Sequence, residues 1–167
     1  KEFLYYSGYA FFLGGMLFTK AMYNFHSSRI NFFLEGYLDF ILQALGIVFY
    51  MLFMQRFLET RNRHPFLYRL YNIGIILLLV SALAYTLLHY FTDNYPLEYT
   101  VELVTKILLL VMMVIFLVYS LRQWKDKLLR FLFWGNLLLF IFSILSQIFS
   151  VSRPDFKGIP EIFNSAL

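Results

Sequence analysis

An all-α, polytopic transmembrane helix bundle is the fold class this sequence predicts, and three observations predict it. Only 14% of the 167 residues are charged while 60% are hydrophobic, against about 25% and 45–50% in soluble domains. Uncharged runs approach the roughly 20 residues that cross about 30 Å of hydrocarbon at 1.5 Å per residue. The basic residues gather in two short connections instead of spreading over a face. A chain with mean hydropathy +0.67 has too little polar surface to cover itself in water, and lipid serves as solvent for the rest. With 21 Phe and 13 Tyr, a transmembrane barrel is the rival. Barrel strands alternate strictly, and runs such as Ile75–Val80 and Leu108–Met113 do not.

Five spans follow in order. The first covers about 4–25, with Lys20 near its end. The polar turn His26–Asn31 closes it and offers Asn31 as a candidate N-cap for the second. The second, about 32–58, carries Glu35 and Asp39 near its start and runs into an arginine-rich connection. His64-Pro65 ends that extension, because the residue before proline is pushed out of the α region. The third, about 67–91, holds an uncharged stretch from Leu70 to Thr92, and Asp93-Asn94-Tyr95-Pro96 breaks it. The fourth, about 99–124, carries Glu102 and Lys106. The fifth, about 128–149, is uncharged from Phe131 to Ser152. Arg153–Pro160 closes the fifth, and a sixth helix begins near 161. No internal repeat divides the chain, so residues 1–167 read as one transmembrane domain fragment. The amino terminus has neither an initiator Met nor a signal-peptide pattern and reads as a cut inside a longer chain.

Charge gives the spans a direction. Lys and Arg mark cytoplasmic connections. Arg56, Arg61, Arg63 and Arg69 lie around the second connection and Arg122, Lys125, Lys127 and Arg130 around the fourth. With Lys1, nine basic residues share one side and five the other, while seven of the ten acidic residues take the opposite side. Lys1 is therefore expected in the cytoplasm and Leu167 outside. The eight loop basics set topology; headgroup or partner contacts are a further use open to them.

The polar residues of the outer half are the candidate site. Glu35, Asp39 and Gln43 recur every fourth residue and share one helix face. Glu102 and Lys106 stand at i and i+4 in the order that favours pairing, and Lys20 lies near the outer end of the first span. A lone charge at mid-membrane costs about 2.5–3.5 kcal/mol, so Asp39 is expected to face the interior and meet Lys20 or Lys106. Two uses fit: a structural ion network joining three helices, or an outward-open site for a small ligand or a sensor domain. Gly8, Gly14 and Gly15 in the first span, and Asn136, Ser143 and Gln147 in the fifth, read as packing positions. Cysteine is absent, His26, His64 and His89 are scattered, and no catalytic motif occurs. The segment is expected to hold no cofactor or metal, to bind no nucleic acid and not to be an enzyme.

Three places carry a family resemblance. The entry Lys1-Glu2-Phe3-Leu4-Tyr5-Tyr6 is one. The second is Gln55-Arg56-Phe57-Leu58 with Arg61, His64-Pro65 and Arg69-Leu70. The third is Arg130-Phe131-Leu132-Phe133-Trp134 together with Gly158-Ile159-Pro160. In these the chain resembles the membrane domain of the bacterial seven-transmembrane receptors with diverse intracellular signalling modules. The resemblance implies that the five spans are that domain's helices two to six, with the start of helix seven near 161. It also implies an external sensor domain before helix one and a cytoplasmic output module in the same full-length chain. Two-component-like signalling in the bacterial inner membrane is the implied setting, and a homodimer is compatible with it. The family's aromatic-proline pattern is missing at His26–Asn31. The alternative is a transporter or channel fragment whose outer charges line a substrate path.

Overall fold

Residues 2–23, 37–92 and 95–152 are described in the computed structural model, without the side chains of Glu2, residues 20–23, Tyr95, Ser143 and residues 146–152. Asn31, Glu35 and the helix expected near 161 lie outside the described residues. The described elements are α1 (Glu2–Tyr23), α2 (Asp39–Phe57), α3 (Thr60–Arg63), α4 (Pro65–Phe91), α5 (Tyr95–Arg122) and α6 (Lys127–Ser152). No strand occurs among the described residues, so the fold class is all-α, as the sequence predicts.

Local chemistry sets the helix ends. Pro65 opens α4 two residues ahead of the expected start: its fixed φ suits the first helical position, where the missing N–H is no loss. Pro96 likewise lies in the first turn of α5, which begins at Tyr95 and not at 99. The Asp126 carboxylate accepts the Leu128 N–H at 2.9 Å and the Leu129 N–H at 3.4 Å, satisfying two of the orphan donors at the start of α6.

The short α3 was not anticipated. Glu59 separates it from α2 by adopting a left-handed conformation (φ 47°, ψ 40°), a region costing a side chain about 1–2 kcal/mol. Its carboxylate then pairs with Arg63 at 3.0 Å, but both side chains are exposed and such a pair contributes little. Glu59→Gly is expected to raise stability by up to about 1 kcal/mol, and Glu59→Val to lower it by about 1–2 kcal/mol. Thermal unfolding of the two variants checks this; equal midpoints would remove the strain.

Residues 1–109 and 110–167 form two compact units. In the first, α1 and α2 run antiparallel, since partner numbers fall on one helix as they rise on the other. The ring pairs are Tyr6–Phe53 at 5.7 Å, Tyr9–Tyr50 at 5.5 Å and Phe12–Phe49 at 5.3 Å. Gly8 permits the close approach, because a Cβ there would lie 2.6 Å from Phe49 Cε1. Of the other two glycines of α1, Gly15 faces Leu42 at ordinary contact distance and Gly14 meets open space.

Helix α2 also packs antiparallel on α4. Gln55 Nε2 donates to Asn72 Oδ1 at 2.9 Å near one end, and Phe40 meets Tyr85 at 4.5 Å near the other. Lying between two helices, α2 buries Phe40, Ala44, Val48, Met51 and Met54. Helix α4 shows why the solvent must be lipid. Its inner face buries Leu67, Tyr71, Gly74, Leu78 and Tyr85. Its outer face, Ile73, Ile76, Val80, Leu83, Leu87 and Tyr90, is as apolar and is exposed. A soluble helix puts polar residues there. Helices α2, α4 and α5 from Pro96 onward are each long and apolar enough to cross a membrane.

Four threonine hydroxyls on or at the end of these helices are satisfied internally. Thr86, Thr92, Thr100 and Thr105 each donate to the carbonyl four residues earlier, at 2.7–2.8 Å. Such back-bonding lets them sit in an apolar solvent without an orphaned donor.

In the second unit, the turn after α5 is closed by Asp126 N–H donating to the Gln123 carbonyl at 3.0 Å. Trp124 and Phe133 meet edge-on at 5.5 Å. Asn136 is buried and donates to the Leu132 carbonyl at 2.9 Å.

Candidate functional site

Polar side chains converge where α2 begins, α4 ends and α5 begins. Tyr37, just ahead of α2, stacks on His89 at 4.7 Å with 19° between the rings. Its hydroxyl lies 3.2 Å from Thr86 Oγ1. His89 Nδ1 is 3.4 Å from Glu98 Oε2, with side chains only 17% and 9% exposed. Below this pair Tyr85 is buried against Phe40, within the electrostatic reach of Glu102, Glu98 and Asp39. One turn further along α5, Lys106 Nζ meets Glu102 Oε1 at 2.6 Å.

The sequence-derived candidates fare unequally. Glu102 and Lys106 pair as their spacing indicates. Lys106 is thus engaged on its own helix, and Asp39 stands half-buried at the first position of α2, with Gln43 one turn on. Glu35 and the Lys20 side chain lie outside the described residues, as do the side chains of Ser143 and Gln147. The loop basics Arg56, Arg61, Arg63, Arg69, Arg122, Lys125, Lys127 and Arg130 are all exposed.

Tyr37, Tyr85, His89 and Glu98 were missed. The three histidines are scattered along the sequence, which hides the part His89 plays. The signal was the turn itself: His89 lies three residues before Thr92 and Glu98 three after Tyr95, so an antiparallel return brings them opposite each other.

The cluster links an imidazole to a carboxylate and ties three helix ends together. No group of three or more His, Asp or Glu among the described residues is placed to hold a metal.

Helices with lipid-facing apolar surfaces and one polar, cross-linked end define a polytopic membrane protein. The model of the family described as 7TM diverse intracellular signalling matches residues 1–156, and the chain belongs to that family. It is therefore a membrane domain of signalling-receptor type. No curated protein and no solved structure matches it.

Proposed function

We propose that this chain couples an external sensor or ligand to a cytoplasmic output module carried by the same full-length protein. The observation that carries the reading is the family match over residues 1–156. In this reading α1, α2, α4, α5 and α6 are five crossings of a bacterial inner membrane, with Lys1 cytoplasmic and Leu167 external. The cluster of Tyr37, His89 and Glu98 then lies at the external end, where a small displacement of one helix reaches its two neighbours. Rigid shifts and rotations of packed helices are the ordinary means of such coupling. The segment transmits and does not catalyse; any catalytic output belongs to the module it drives. The transporter alternative calls for helices broken at the bilayer midplane. The prolines of the described helices, Pro65 and Pro96, sit in first turns instead.

Orientation is directly testable, because the chain has no cysteine of its own. In intact cells Arg61→Cys and Lys125→Cys should resist a membrane-impermeant maleimide, and Thr92→Cys should react. Labelling of Arg61→Cys and Thr92→Cys from the same side would sink the five-crossing topology. Coupling is tested in the full-length receptor by disulfide crosslinking between cysteines in α4 and α5, with the external domain intact and deleted. Crosslinking and output that do not respond to the deletion would remove the proposed role.

A further inference from the structure

A cleft of about 740 Å³ opens at the other end of the first unit, lined by Tyr5, Leu52, Gln55, Arg56, Glu59, Arg61, Asn62 and Tyr68. Its volume falls within the roughly 300–1,000 Å³ usual for small-ligand sites. Helices α1, α2, α3 and α4 all contribute to its wall. Its chemistry is donor-rich: two guanidinium groups, two side-chain amides and two phenol hydroxyls stand against one carboxylate. Gln55 is engaged with Asn72 and Glu59 with Arg63. The side chains of Arg56, Arg61, Asn62, Tyr5 and Tyr68 have no hydrogen-bond or ion-pair partner among the described residues.

Phe57 and Phe66 flank the cleft in sequence and are 41% and 49% exposed, so apolar surface adjoins the donors. A basic pocket beside lipid-facing helices suits a ligand with an anionic head and apolar tails. Guanidinium forks match phosphate oxygens geometrically. The left-handed turn at Glu59 separates α2 from α3, whose Arg61 and Asn62 share one opening with Tyr5 and Tyr68.

We propose that this cleft binds a phosphate ester, carried by the headgroup of an anionic phospholipid. Glu59 opposes the ligand by like charge while Arg56 and Arg61 attract it, so the affinity should move in opposite directions on neutralising the two kinds of residue. The proposal requires only a membrane-embedded chain and is independent of what the receptor senses.

The test uses the full-length protein, delipidated in neutral detergent and followed by native mass spectrometry. It is titrated separately with phosphatidylglycerol, with phosphatidylcholine and with glycerol 3-phosphate. Phosphatidylglycerol should bind in preference to phosphatidylcholine. Arg56→Gln with Arg61→Gln should weaken it by about fivefold per charge removed, and Glu59→Gln should strengthen it. Lys125→Gln with Lys127→Gln, which removes equal charge outside the cleft, should change it less than twofold. Binding of glycerol 3-phosphate with the same ranking of variants would support the site and place the recognition in the phosphate ester alone; its failure to bind would assign the site to the lipid. Indistinguishable binding of the two lipids, or an equal loss in the Lys125/Lys127 control, would overturn the proposal. Should the double arginine variant not fold, Tyr68→Phe and the gain expected of Glu59→Gln still decide it, and a loss in Glu59→Gln counts against it.

Discussion

Gly8→Ala should lower the unfolding midpoint of the full-length protein in detergent, with a cost of about 1–3 kcal/mol, the range for forcing a methyl into a packed site. The argument is geometric. Helices in lipid gain little from hiding apolar surface, because the tails are as apolar as the side chains, so packing and close approach carry the association. At Gly8 the ring of Phe49 occupies the space a Cβ would need, and three ring atoms would lie 3.0 Å or less from it. The ring is also held by Phe12, so it cannot swing aside without disturbing a second pair. Gly14→Ala, at a position open to free space, should be neutral or slightly stabilising through helix propensity, about 1 kcal/mol at most. Phe49→Leu should restore much of what Gly8→Ala loses. If Gly8→Ala and Gly14→Ala unfold together with the unmodified protein, close approach at Gly8 does not support the α1–α2 pair.

His89→Ala should be the second large effect. It removes the imidazole beside a Glu98 side chain that is only 9% exposed, and an unsatisfied buried acceptor of this kind costs about 1–3 kcal/mol. His89→Phe keeps a ring for Tyr37 to stack on and loses only the nitrogen, so it separates stacking from hydrogen bonding. Truncating both partners, His89→Ala with Glu98→Ala, should cost less than the two single changes added together. A double-mutant cycle measures this, and a coupling energy of zero would falsify the pairing. In the full-length receptor both His89 variants should also shift basal output, because the cluster joins three helix ends; unchanged output with lowered stability would confine it to a structural role.

Much of the fold was legible in the sequence because its causes are local. Uncharged runs, prolines and the arginine-rich connection mark the described helix ends to within a few residues, apart from the start of the second span, expected near 32, which lies outside the described residues. The i, i+4 spacing of Glu102 and Lys106 gives their pairing. What was not legible depends on which helices meet. Sign alone matches Asp39 with Lys20 or Lys106, and it does not show that Lys106 also meets an acid one turn away on its own helix. His89 and Glu98 looked like separate residues until the antiparallel return of α5 set them face to face. The left-handed turn at Glu59 has no glycine or asparagine to announce it, so α3 was read as part of a connection. The cleft beside it exists only once four helices contribute to its rim.

The α2–α4 pair is fastened differently at its two ends. At the basic end an amide–amide hydrogen bond of 2.9 Å joins Gln55 to Asn72. At the other end the links are stacked rings at 4.7 and 6.2 Å and a hydroxyl contact of 3.2 Å. Aromatic contacts hold over centroid separations of about 4.5–7 Å, but a hydrogen bond fades within a few tenths of an ångström beyond about 3.2 Å. Sideways travel of an ångström therefore breaks the amide bond at one end and the hydroxyl contact at the other, but leaves the rings in touch. The two helices are built like shears, pinned at Gln55 and Asn72, with the play in the blades at Tyr37 and His89.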